Sequence, residues 1–154
     1  MGLDTSHGAW HGAYSAFMTW RKKIAELADL PPLELMEGFY DPLPPNDRHL
    51  STLYAGLMKE KEYSNSLKEL DRRLPIKWDC LKPSALHILL YHSDCDGDIA
   101  WEDCASIADE LEKLLPKLPN EDAGGHVGNW GTKTKTFIDG LRLAHSKKEN
   151  LEFH

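Results

Sequence analysis

One stretch constrains this chain more than any other: His92-Ser93-Asp94-Cys95-Asp96-Gly97-Asp98-Ile99-Ala100-Trp101-Glu102-Asp103. Carboxylates at that density repel one another unless a cation or backbone N–H groups compensate them. Gly97 marks a sharp turn, and a helical pattern lies on each side. Upstream, Pro83 and Ser84 suit a helix start, and Leu86, Ile88, Leu89 and Leu90 carry it to Tyr91. Downstream, Trp101, Cys104, Ile107, Ala108, Leu111, Leu114 and Leu115 make the cleanest amphipathic stripe in the chain, stopped by Pro116 and Pro119.

The rest of the chain also reads as helices and connectors. Residues 4–29 repeat apolar side chains at helical spacing: Trp10, Tyr14, Phe17, Ile24 and Leu27. Thr5 or Ser6 can cap that helix. At its head His7-Gly8-Ala9-Trp10 is followed by His11-Gly12-Ala13-Tyr14. A helix there puts Asp4, His7 and His11 on one face, although two glycines lower its propensity. Residues 30–49, with Pro31, Pro32, Pro42, Pro44 and Pro45, form a connector. Leu50, Leu53, Tyr54, Leu57 and Met58 start a second helix that continues or restarts through Leu67, Leu70 and Leu74 until Pro75 ends it. Residues 75–82 connect it onward, with Trp78 expected to be buried. Residues 117–131 form a glycine-rich loop, and a last helix runs from about Thr132 to Lys148. The tail Glu149–His154 is expected to fray. No alternation of polar and apolar residues marks a strand. The expectation is an all-α, single-domain bundle of about five helices over residues 1–154, with a helix–acidic loop–helix element and long Pro/Gly-rich connectors.

Charge narrows the partners. The formal net charge is −7, and the basic residues are scattered in short groups such as Arg21-Lys22-Lys23 and Arg72-Arg73. Phosphate binding needs a clustered cationic face, so neither nucleic acid nor an anionic membrane is expected. No apolar run reaches the length of a membrane span. The N-terminus lacks a basic region followed by an apolar one, so no secretory signal is expected. Three cysteines, Cys80, Cys95 and Cys104, cannot all pair, and reduced thiols in a cytoplasm are the simplest reading.

The acidic stretch resembles an EF-hand. With Gly97 at the sixth loop position, His92 stands first, Asp94 third, Asp96 fifth, Asp98 seventh, Ile99 eighth and Asp103 twelfth. The resemblance implies alternate oxygens pointing inward, a left-handed turn at Gly97 and Ile99 packed into the core. It departs from the pattern at His92, at the short Asp103 and at Ala100, and no second such loop exists to pair with it. Oxygen ligands with imidazole suit Zn, Mn or Ni better than Ca or Mg. Asp4, His7 and His11 offer more of the same ligands, and histidines four apart on a helix have zinc-site spacing. The expected metal site therefore joins His92, Asp94, Asp96, Asp98 and Asp103 with Asp4, His7 and His11. A metal-free alternative stands beside it, in which Asp94 and Asp96 cap turns while Glu102 and Asp103 favour a helix N-terminus.

Ser6-His-Gly-Ala-Trp-His-Gly-Ala-Tyr-Ser-Ala-Phe17, taken with His92–Gly97, resembles a small uncharacterised bacterial and phage-encoded protein family. That resemblance implies a bacterial or phage cytoplasmic setting and no particular activity. The first functional expectation is a divalent-metal-binding accessory factor that binds or regulates a protein or small-molecule ligand. The second is a metal-dependent hydrolase with Asp98 or Glu102 as general base. The third is a metal-free interaction module.

Overall fold

The computed structural model describes residues 2–39, 75–123 and 127–154. The helix expected over residues 50–74 lies outside the described residues, as do His49 and His126. The chain divides into two compact units, Met1–Leu33 with Leu81–His154, and Glu34–Cys80.

The first unit begins with a hairpin rather than a helix. Strand β1 (Gly2–Asp4) pairs antiparallel with β2 (His11–Ala13), which sets Asp4 opposite His11. Thr5 closes the turn between them. Its N–H donates to the Trp10 carbonyl at 3.0 Å, and its hydroxyl oxygen accepts from the Trp10 N–H at 2.7 Å. Inside that closure His7 and Gly8 both have positive φ, 59° and 66°. Two successive left-handed residues cannot continue a right-handed helix. The glycines that weaken helix propensity here serve the turn instead.

Helix α1 (Tyr14–Leu27) therefore starts ten residues later than the sequence pattern predicts. It buries Phe17, Trp20, Ile24 and Ala25, and with them Arg21. Helix α2 (Leu86–Tyr91) is short and buries Leu86, Leu89 and Leu90. After the acidic turn come β3 (Asp98–Ile99) and α3 (Trp101–Leu114), which buries Cys104, Ile107, Ala108 and Leu111 as the stripe predicts. Helix α4 (Trp130–Lys147) is capped at its start by the Asn129 carboxamide, whose oxygen accepts from the Thr132 N–H at 3.1 Å. It packs along α3 through Phe137, Ile138, Leu141 and Ala144. Lys148 ends it in the left-handed region, φ 55°.

The tail does not fray. Strand β4 (Leu151–Glu152) pairs antiparallel with β3, with Ile99 opposite Leu151. Leu151 and Phe153 are buried. Their alternation with exposed Glu152 is a period-two pattern, too short to stand out among helical stripes. On the tail's other side, Asp4 and His154 exchange two backbone hydrogen bonds, Asp4 N–H to His154 O at 2.8 Å and His154 N–H to Asp4 O at 2.9 Å.

The fold is thus not an all-α bundle of five helices. The described residues hold four α-helices, three of them seven residues or longer, and two small antiparallel sheets. The core of this unit is aromatic. Trp10, Phe17, Trp20, Phe137 and Phe153 meet with centroids 4.8–6.3 Å apart, within the range of favourable edge and offset contacts.

In the second unit, Met36 and Ile76 form a parallel bridge. Ile76 N–H donates to Leu35 O and Glu37 N–H to Ile76 O, each at 2.8 Å. The Trp78 indole N–H donates to Glu37 O at 3.0 Å, and its ring is half-buried rather than buried.

Candidate functional site

The acidic turn is closed by side chains of the chain itself. His92 follows α2 in an extended conformation, and its ring folds beneath the loop. Its Nδ1 lies 2.8 Å from Ser93 O and its Nε2 3.0 Å from Asp98 O. Both partners are carbonyls and can only accept, so both contacts are hydrogen bonds only when the ring is an imidazolium. One ring face stacks on Phe153 with centroids 4.2 Å apart. Gly97, at φ 88°, passes over the ring, and a Cβ there would stand 3.5 Å from His92 Cε1 and Nε2. Gly97 O accepts from Phe153 N–H at 2.9 Å, tying the loop to the tail.

Arg21 supplies a positive charge beside the loop. Its Nη1 donates to His92 O at 2.6 Å and to Leu90 O at 3.3 Å, while its guanidinium lies 4.6 Å from the Phe17 ring centroid. Burial pushes the Arg21 pKa down to about 10, against the opposing pull of the Asp94 carboxylate. The remaining carboxylates have local roles. The Asp98 carboxylate accepts from Asn150 Nδ2 at 2.9 Å, and Asn150 Oδ1 accepts from Trp101 N–H at 3.0 Å, capping α3. Glu102 and Asp103 sit in the first turn of α3, where the helix dipole favours negative charge. Asp96 is exposed. Ile99 is buried and Gly97 left-handed, as the EF-hand resemblance implies.

The N-terminal ligands take a different arrangement from the helical one expected. His7 and His11 are not one helical turn apart, because the hairpin intervenes. His11 Nδ1 meets the Asp4 carboxylate across the β1–β2 ladder, and its side chain is 90% exposed. His7 lies within the turn, its side chain 7% exposed. Its Nδ1 is 2.8 Å from Ser6 Oγ and its Nε2 2.8 Å from Glu149 Oε2. Ser6 Oγ also accepts from Glu152 N–H at 2.9 Å. Ser6, His7, Lys148, Glu149, Asn150 and Glu152 line an open concavity on this side.

The eight expected ligands thus fall into four places. Asp4 pairs with His11, His7 belongs to the Ser6 turn, His92 with Asp94, Asp96 and Asp98 forms the acidic turn, and Asp103 stands on α3. Among the described residues, no three or more His, Cys, Asp or Glu side chains converge as a group able to hold a metal ion. The hairpin and the acidic turn do meet the same element, the terminal strand, one on each side.

Sequence reasoning missed Arg21, Ser6, Glu149 and Asn150. Arg21 had a signal: a lone cation on the apolar stripe, four residues from Phe17 and three from Ile24. Ser6 had a weaker one in its adjacency to His7. Glu149 and Asn150 had none, since their roles depend on the tail folding back.

In comparisons with known proteins, the chain matches no family model, no curated protein and no solved structure.

Proposed function

We propose that this protein is a binding or regulatory module whose acidic turn is locked by its own histidine and arginine rather than by a metal ion. His92 carries the reading. It occupies the first loop position, where a ligand belongs, yet spends both ring nitrogens on carbonyls of the same loop. A metal at either ring nitrogen would have to displace one of these two contacts. Arg21 below the turn and Asn150 on Asp98 supply further compensation that a cation would otherwise bring.

The net charge of −7 and the exposed carboxylates Asp96, Asp98 and Glu102 favour a partner with positive charge over nucleic acid or anionic lipid. Among the described residues no helix is long and apolar enough to cross a membrane. The three cysteines are free, which fits a reducing cytoplasm. The resemblance to small bacterial and phage-encoded proteins fits the same setting.

The test is metal content combined with melting. Purified protein is expected to carry only background zinc, manganese, nickel and calcium, with a melting temperature indifferent to a chelator or to added ions. A stoichiometric metal, with melting lowered by the chelator, would overturn the reading and restore the divalent-metal accessory factor.

A further inference from the structure

The concavity beside the N-terminal turn has a chemistry that the binding role does not use. The contacts there form a chain. Ser6 Oγ accepts from Glu152 N–H at 2.9 Å and lies 2.8 Å from His7 Nδ1. The Glu149 carboxylate can only accept, which places a proton on His7 Nε2 and, in a neutral ring, leaves Nδ1 to accept from the Ser6 O–H. Nε2–H then donates to the Glu149 carboxylate at 2.8 Å. Hydroxyl, imidazole and carboxylate are joined in one hydrogen-bonded chain, and a ring with its only proton on Nε2 holds its basic nitrogen toward the hydroxyl. Nucleophile, base and orienting acid have this relation in hydrolases of unrelated folds, recognised by roles rather than by chain order.

Backbone strain accompanies the arrangement. His7 has φ 59° and ψ 14°, a conformation that costs a residue with a Cβ about 1 kcal/mol or more. That conformation keeps the His7 ring 7% exposed between a hydroxyl and a carboxylate 142 residues away in the chain. Lys148, also left-handed at φ 55°, is the cation among the residues lining the concavity.

We propose that Ser6 is a nucleophile activated by His7, with Glu149 as the positioning residue, and that the concavity takes small carboxylic esters. The step balances without any metal or redox partner. His7 Nδ1 removes the Ser6 proton as Oγ bonds to the ester carbonyl carbon. The carbonyl oxygen becomes an oxyanion, and Lys148 offsets its charge. Collapse of that adduct breaks the ester C–O bond, and the leaving alcohol takes the proton from Nδ1. Water then attacks the acyl-serine, again giving its proton to Nδ1. Collapse of this second adduct breaks the acyl C–Oγ bond, Nδ1 returns its proton to Oγ, and release of the carboxylic acid leaves Ser6 and neutral His7 as they began. The Glu149 carboxylate stabilises the imidazolium formed in each half and holds the ring.

The test uses the full chain and a fluorophosphonate. Ser6 Oγ would bond to phosphorus, fluoride would leave and His7 would take the proton. One adduct per chain is expected, located on Ser6 by peptide mass spectrometry, together with slow hydrolysis of p-nitrophenyl acetate. His7→Asn, which tolerates the left-handed backbone, should slow labelling about a hundredfold or more. Glu149→Gln should slow it less, and should lower kcat for p-nitrophenyl acetate while leaving KM in place; a contact that only shapes the concavity would move KM as well. Ser6→Ala should remove the adduct, and if that variant does not fold, the adduct position in the unaltered chain decides alone. Absence of a Ser6 adduct on the folded chain, or an undiminished rate in a folded His7→Asn, would overturn the proposal.

Discussion

Gly140 is where the N-terminal turn rests on helix α4, and replacing it with alanine tests packing and site together. A Cβ at Gly140 would lie 2.4 Å from Ala9 Cβ, 2.6 Å from Ala9 Cα and 2.9 Å from Ala9 N. Carbon atoms pack at about 3.5–4.0 Å, so the turn must retreat from α4 by about 1 Å. Ala9 is fully buried, and two of the three clashing atoms are backbone, so no rotamer change relieves them. Overpacking of this kind costs about 3 kcal/mol at its usual upper end. Alanine returns about 1 kcal/mol of helix propensity. The net loss is about 2 kcal/mol by these figures. For a domain of this size that lowers the melting temperature by roughly 4–8 °C.

The same displacement reaches Ser6 and His7, which precede Ala9 in the turn. A misplacement of about 1 Å can cost on the order of a hundredfold in rate. Gly140→Ala is therefore expected to lower both thermal stability and fluorophosphonate labelling of Ser6. Gly131→Ala is the control, because its Cβ would meet Asn129 Oδ1 at an acceptable 3.4 Å. It should stay within about 1 kcal/mol of the parent. Scanning calorimetry and a urea melt measure the first effect, and labelling kinetics the second. If Gly140→Ala melts at or above the parent, the turn does not rest on α4 as described, and the site geometry falls with it.

Three further outcomes follow from other parts of the structure. Phe153→Ala removes a side chain packed on Phe17 and His92, and should cost about 3–5 kcal/mol in guanidinium denaturation; the exposed Glu152→Ala should stay within about 0.5 kcal/mol. Arg21→Met removes the guanidinium over Phe17 and leaves the carbonyls of Leu90 and His92 without their donor, and should cost about 1–3 kcal/mol. Equal or greater stability would mean that guanidinium desolvation outweighs those bonds. Burial pushes the Cys104 thiol from 9.0 up to about 11. The unfolded chain thus releases this proton first as pH rises, so stability should fall between about pH 9 and 11, and Cys104→Ala should flatten that fall.

How much of this was legible in the sequence depended on the range of the interaction. Helix α3 was readable because its stripe from Trp101 to Leu115 is set by its own period. So were the left-handed turn at Gly97 and the buried Ile99, since the EF-hand resemblance that implies both is carried by residues close together in the chain. The first helix was misread over residues 4–13 because Trp10, Tyr14 and Phe17 fit a helical period equally well when the first lies on a hairpin. What decided between them was Thr5, whose hydroxyl binds the Trp10 N–H, together with two consecutive left-handed residues at His7 and Gly8. Neither shows in a hydrophobic pattern.

The candidate site was half legible for a related reason. Its residue types were flagged, but their partners were not, because the pairing is made by a strand too short to announce itself. Leu151 and Phe153 bury two side chains, and that burial is worth about 3–6 kcal/mol in all. It brings Glu149 to His7, Asn150 to Asp98 and Phe153 to His92. A tail that frays would leave an acidic loop with uncompensated charge and a histidine repeat with nothing to bind. In that picture a shared metal ion is the economical way to join them. Once the tail is a strand, the joining is done by backbone hydrogen bonds, and the two histidines diverge in role. His92 sits between two carbonyls inside a turn, and His7 between a hydroxyl and a carboxylate. Deleting residues 149–154 should therefore remove Ser6 labelling and expose the His92 ring together, even though the two lie on opposite sides of the strand. Loss of one with the other intact would mean that the strand does not couple them.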